Sequence, residues 1–111
     1  LGSASGTAAN NVATWQGAFQ GAVKRCFTPT YNGQDANLYE ADIDIPMRID
    51  GSLASEPVIV AVRGPSRSIA QAVAESAKRA IVQCQVYSFL PKQQYDSWKL
   101  IPMTFGLKDM L

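Results

Sequence analysis

Two cysteines carry the clearest chemistry in this chain. Cys26 and Cys84 are its only cysteines and lie 58 positions apart, which is neither the spacing of a redox CxxC pair nor that of a four-ligand zinc site. They are therefore either two buried thiols or one disulfide that joins the two halves of the chain. A disulfide would persist only in an oxidising compartment, outside the cytosol.

Catalytic side chains are scarce. The chain contains no histidine, so the most common general base and the most common metal ligand are both absent. Asp42 and Asp44 could form a carboxylate pair about 7 Å apart on one face of a strand, but alternating charge on a solvated sheet face explains them more simply. Ser66 has no histidine to activate it. We therefore expect no enzyme activity, no metal and no cofactor.

Composition narrows the class of protein further. Ten basic and nine acidic residues among 111 give a net charge of +1, which argues against nucleic-acid binding. No apolar run approaches the roughly 18 residues of a membrane span, so no direct membrane contact is expected. One domain is predicted over residues 11–111. Residues 1–10 are predicted to be a disordered lead-in or the remnant of a cleaved fusion tag, and residues 106–111 a tail.

Hydrophobic periodicity predicts two amphipathic helices, each of which ends its apolar stripe with a cysteine. The first is predicted to begin at Asn10 or Asn11 and to end at Cys26. The second is predicted to run from a capping box at Ser68 to Cys84. This coincidence favours covalent pairing of the two cysteines, with two separate thiols as the alternative.

Three strands are predicted between and after these helices. Strict alternation over 38–49 predicts a strand with one buried face, with a bulge or an unpaired amide at Pro46. A second strand is predicted over 58–63 and a third over 99–105, the third at a sheet edge because it contains Pro102. The order of elements predicts an α+β fold: a three-stranded antiparallel sheet in the order 2-1-3, with the helices packed on one face.

The exposed edges of such a sheet could bind an extended peptide. We expect partner binding at the third strand, with the nitrogen of Pro102 turned away from the partner or lying at a break. The expected binding residues are Lys99, Leu100, Ile101, Met103, Thr104 and Phe105. Alternatively, prolines and charges at the edges only prevent aggregation.

A group of aromatic residues precedes the third strand. Tyr87 and Tyr95, with Phe89 and Trp98 nearby, could form a recognition surface on which the two tyrosine hydroxyls stay in water. The alternative is a small core under the connecting segment.

Several segments resemble the C-terminal domain of TolA cell-envelope proteins, in particular the alphaproteobacterial forms. The similarity covers roughly residues 11–111, and the C-terminal domain of TonB is more distantly similar. The segments that carry it are Lys24-Arg25-Cys26, residues 74–87 (AESAKRAIVQCQVY), Leu90-Pro91, Tyr95, Trp98-Lys99, Phe105 and Asp109-Met110.

The resemblance implies a periplasmic, non-enzymatic interaction domain of the Tol-Pal system. In that family a membrane anchor engages TolQ and TolR, and this domain binds the N-terminal segment of TolB, which links inner-membrane energy to outer-membrane integrity. Some colicins and a filamentous phage coat protein exploit the same domain. The resemblance also implies pairing of Cys26 with Cys84. The alternative is a TonB-like energy transducer that docks on outer-membrane receptors.

Overall fold

Four α-helices and three β-strands make up the part of the chain that the computed structural model describes, residues 7–29, 31 and 33–111, with side chains from residue 15 onward. Two short 3₁₀ turns, Ala36–Leu38 and Lys92–Gln94, join them. In chain order the elements are α1 Thr7–Cys26, β1 Glu40–Pro46, β2 Val58–Arg63, α2 Arg67–Gln83, α3 Tyr95–Trp98, β3 Leu100–Gly106 and α4 Leu107–Met110.

The three strands form one antiparallel sheet in the order β2-β1-β3. Along β1, Ala41, Ile43 and Ile45 are buried, whereas Asp42 and Asp44 on the opposite face are partly exposed. The helices pack on the apolar face, because only that face offers side chains to a shared core. The predicted α+β class and the predicted strand order are confirmed.

The first helix starts earlier than predicted. Helix α1 begins at Thr7, not at Asn10 or Asn11, so the lead-in predicted over 1–10 is wrong for residues 7–10. Ala8 and Ala9 are good helix formers, which favours this earlier start. Residues 1–6 of the predicted lead-in lie outside the described residues.

Strand β1 is shorter than the predicted strand over 38–49. After Pro46 the chain turns back, with an isolated bridge between Met47 and Leu53 and a turn closed by the Gly51 amide, which donates to the Arg48 carbonyl at 2.9 Å. Gly51 has a φ of 89°, in the left-handed region that favours glycine. A Cβ at this position would clash with the Tyr87 carbonyl oxygen, so glycine is required there.

The sheet contains one bulge, and it is not at Pro46, so of the two predicted alternatives the bulge is wrong and the position unpaired toward β2 is the one observed. The β1–β2 register shifts between Asp42 and Ile43, where β2 contributes Val60 as the extra residue. Pro46 lies beyond the last β1–β2 pair, which joins Asp44 to Val58. Its missing N–H therefore costs no bond in this ladder.

Helix α2 is capped two residues earlier than predicted. The Ser66 hydroxyl accepts from the Ile69 amide at 3.3 Å, and Ser68 already lies inside the helix. Its apolar side contributes Val73, Ala77 and Ile81 to the core, so its polar side faces away from the centre of the domain.

The predicted tail over 106–111 is also wrong in part, because α4 occupies most of it.

Candidate functional site

Cys26 and Cys84 form a disulfide. Their Cα atoms are 5.9 Å apart, within the usual range for such bonds. Cys26 ends α1 and Cys84 caps the C-terminus of α2, so the bond joins the two helices at their C-terminal ends. The predicted pairing is confirmed.

The polar face of the sheet carries a charged cluster centred on Arg63. Its guanidinium donates to both carboxylate oxygens of Asp42 at 2.9 Å and to Glu40 at 3.0 Å. The Thr104 hydroxyl donates to Asp42 at 2.7 Å. The bonds from Arg63, followed by that from Thr104, lower the pKa of Asp42 to about 2. An aspartate held ionised in this way cannot serve as a general acid near neutral pH.

This cluster makes the stability of the domain depend on pH. The pKa of Asp42 is about 2 in the folded chain and about 3.9 in an unfolded one. Its stabilising contribution is therefore fully present above about pH 4 and is lost as the pH falls toward 2. Replacing Arg63 with Gln should raise the pKa of Asp42 toward its ordinary value in a carboxyl NMR titration. The exposed Arg25→Gln variant is the control, and an unchanged Asp42 pKa in Arg63→Gln would contradict the assignment.

Two hydrogen bonds at the ends of the β1–β3 ladder fix the direction of the main-chain groups of β3. The Met47 amide donates to the Lys99 carbonyl at 2.8 Å, and the Leu107 amide donates to the Tyr39 carbonyl at 2.9 Å. Bonded and non-bonded pairs alternate along an antiparallel ladder. The β3 residues that point their amides and carbonyls toward β1 are therefore Ile101, Met103 and Phe105.

The intervening residues of β3 point their main-chain groups out of the sheet. These are Leu100, Pro102, Thr104 and Gly106. The nitrogen of Pro102, the second of these four residues, thus faces the free edge, and the prediction that it turns away from a partner at this edge is wrong. Because Pro102 has no N–H, the outward row lacks one donor, and the proline ring occupies its place.

The side chains predicted to bind a partner at β3 are divided between core and surface. Ile101 and Phe105 are buried in the core and Met103 is half-buried. Leu100 and Thr104 are exposed on the polar face of the sheet. Lys99 precedes the strand and lies 3.5 Å from an Asp96 carboxylate oxygen. At this edge the main chain, more than the predicted side chains, is available to a partner.

Strand β2 forms the second free edge. Alternate residues of β1 point their main-chain groups toward β3, and the remaining residues of β1 point theirs toward β2. On β2, the residues bonded to β1 are therefore Val58, Ala61 and Arg63. Ile59 and Val62 then point their amides and carbonyls outward, and both have an N–H. No backbone hydrogen bond reaches the outer side of either edge strand from within the described ranges.

A groove of about 840 Å³ runs between β2 and α2. Residues 55–62 form one wall. The other wall consists of α2 side chains spaced at helical steps of four, four and three: Arg67, Gln71, Glu75 and Lys78. These spacings indicate a polar helix face in the sequence. Only the fold shows that this face lies beside β2, a strand with a free edge.

Among the aromatic residues before β3, Tyr87 and Trp98 are buried in the core, so the predicted recognition surface is wrong for Tyr87. Its side chain is 1% exposed, its hydroxyl donates to the Ile81 carbonyl at 2.6 Å, and burial raises its pKa. Tyr95 is half-buried, and its hydroxyl donates to the Met47 carbonyl at 2.6 Å rather than to water. The alternative, a small core under the connecting segment, is the observed arrangement for Tyr87, Tyr95 and Trp98, whereas Phe89 is 47% exposed.

Within the described ranges, no group of three or more His, Cys, Asp or Glu side chains is placed to hold a metal ion. The helices of the same ranges include none with the length and hydropathy to cross a bilayer. No family model and no curated protein matches this sequence.

Proposed function

We propose that this chain is a TolA-like domain of the Tol-Pal cell-envelope system. It binds the extended N-terminal segment of TolB by β-strand addition and so links inner-membrane energy to outer-membrane integrity. The observation that carries the proposal is the open three-stranded sheet, whose outward main-chain groups on β2 and β3 have no backbone partner among the described residues. Such groups recruit an extended chain through main-chain hydrogen bonds, while alternate side chains supply specificity.

Two further features support a place in the cell envelope. The disulfide persists only in an oxidising compartment, and the periplasm is such a compartment. A sheet with helices on one face is also the architecture that the TolA resemblance implies. In a protein of this type a membrane anchor would meet TolQ and TolR, and colicins or a phage coat protein could use the same edge.

The disulfide also suits a domain that transmits force. It joins the C-terminal ends of α1 and α2, so a pull transmitted through α1 would pass through a covalent bond instead of through side-chain packing alone. The two helices would then stay together on the sheet while a bound segment is under tension.

Hydrogen exchange with synthetic peptides tests the proposal. A peptide from the TolB N-terminus should slow exchange at outward-facing amides of an edge strand, at Ile59 and Val62 or at Leu100 and Thr104, because those amides gain acceptors. A TonB-box peptide serves as the comparison for the TonB-like alternative. Protection by the TonB-box peptide alone, or protection confined to the helices, would contradict the proposal.

A further inference from the structure

We infer that the partner segment docks on β2, in the groove between β2 and α2, and that it alternates apolar with polar residues and carries a carboxylate at the Arg67 end. This inference rests on the proposed function and identifies the edge and the chemistry of its ligand.

The two edges differ in what they offer the main chain of a partner. At β3 the second of the four outward residues is Pro102, which lacks the donor and places a ring where an incoming strand would lie. At β2 the outward residues Ile59 and Val62 both keep their N–H groups. The partners of Ile59 and Val62 on β1, Ile43 and Ala41, lie two residues apart, because the bulge takes up the extra residue Val60.

The groove has the dimensions of a short extended segment. The six residues of β2 span roughly 20 Å, and α2 from Arg67 to Lys78 spans roughly 17 Å. The helix runs back along the strand, because Arg67 follows the end of β2 after three intervening residues and Lys78 pairs with Glu56 just before the start of β2. A segment of about six extended residues therefore fits between the two walls.

Two exposed valines on β2 indicate that one face of the bound segment is apolar. Val58 is 56% and Val60 58% exposed, and both lie at the edge without a neighbouring strand to cover them. Every second residue of an added strand would lie on the same face as Val58. Apolar residues at those positions would remove both valines from water.

The charged side chains of α2 indicate that the bound segment carries a carboxylate. Gln71 donates to Glu75 at 3.1 Å, and Lys78 lies 3.0 Å from Glu56, so these side chains already have partners. Arg67 has no ion pair among the described residues. It is therefore the cation that an incoming carboxylate would pair with.

A second copy of the chain suits the groove less well. Two β2 strands paired antiparallel about a two-fold axis would bring each Arg67 to the other copy's Lys78–Glu56 pair, whose carboxylate is already engaged. A foreign acidic segment supplies the missing charge, and a second copy does not.

Filling the groove tests the inference. Gln71→Trp should weaken binding of the TolB peptide at least about tenfold by steric exclusion, whereas the matched Gln16→Trp on the exposed face of α1 should not. A short designed peptide that alternates valine and threonine and ends in aspartate is the second probe. Arg67→Glu should weaken that peptide roughly fivefold to tenfold, but not its alanine-ended version. Glutamate at the first position of a helix favours the helix dipole, so this variant should still fold.

The outcomes separate the inference from the proposed function. Protection of Ile59 and Val62 that Gln71→Trp abolishes supports the groove. Protection of Leu100 and Thr104 that Gln71→Trp leaves intact overturns the groove while the proposed function stands. If the designed peptide binds the groove and the TolB peptide does not, TolB fails as partner and the groove stands. Binding of neither peptide, or a dimer that Gln71→Trp dissociates, overturns the groove.

Discussion

Removing the Cys26–Cys84 disulfide should lower the free energy of unfolding by about 4 kcal/mol, because the bond closes a loop with a sequence separation of 58 and so restricts the unfolded chain. That loss is a large part of the 5–15 kcal/mol typical of a domain. Urea unfolding of the double variant Cys26→Ser, Cys84→Ser, followed by circular dichroism, measures it. The double variant avoids the unpaired thiol that either single variant would leave.

Reduction of the unmodified chain is the matched experiment. A reducing agent should lower its stability to that of the double variant and should leave the double variant itself unchanged. Before reduction, alkylation under denaturing conditions should add no label to either cysteine. Uptake of two labels before reduction, or equal stability with and without the reductant, would show that the bond does not form.

Replacing Trp98 with alanine should cost roughly 3–5 kcal/mol, the range for truncating a large buried aromatic side chain. Trp98 is completely buried, donates from Nε1 to the Pro91 carbonyl at 2.8 Å and packs edge-on against Tyr95 with ring centroids 4.8 Å apart. Tyr95 in turn donates to the Met47 carbonyl. Trp98 therefore holds the connecting segment against the sheet next to the start of β3.

The second tryptophan provides a control for the hydrogen bond. Trp15 is also buried, but its Nε1 has no hydrogen-bond partner among the described residues. Trp98→Phe should therefore lose about 1 kcal/mol more than Trp15→Phe, because only the first substitution removes a hydrogen bond. Equal losses in urea unfolding would contradict a stabilising role for the bond to Pro91.

Much of the fold could be predicted because its pattern is strong. Alternation along β1 and the short apolar run over β2 each indicate a strand, and the apolar stripe of α2 indicates a helix. The order of these elements along the chain then predicts the strand order. The bulge at Val60 could not be predicted, since it arises from pairing between strands and has no signal in either strand alone. Helix α4 spans only four residues, too few to show a periodicity.

The candidate site could be predicted only in outline. Pro102 correctly indicated an edge strand, but the direction of its nitrogen depends on the register with β1, which hydrogen bonds at both ends of the ladder determine. The burial of Tyr87 depends on its packing against Phe19 of α1, at 4.6 Å between ring centroids, and thus on a contact distant in sequence. The groove requires β2 and α2 to be placed side by side, which residue spacing alone does not show.

In the proposed binding mode, an edge of this sheet takes up a partner's backbone as an additional strand. The most direct measurement is of nuclear Overhauser contacts between a TolB N-terminal peptide and the isotope-labelled domain. Main-chain contacts from the peptide to Ile59 and Val62, in the regular pattern of neighbouring strands, are the expected result. A bound peptide whose contacts reach only helical side chains, with none to the backbone of either edge strand, would contradict the claim.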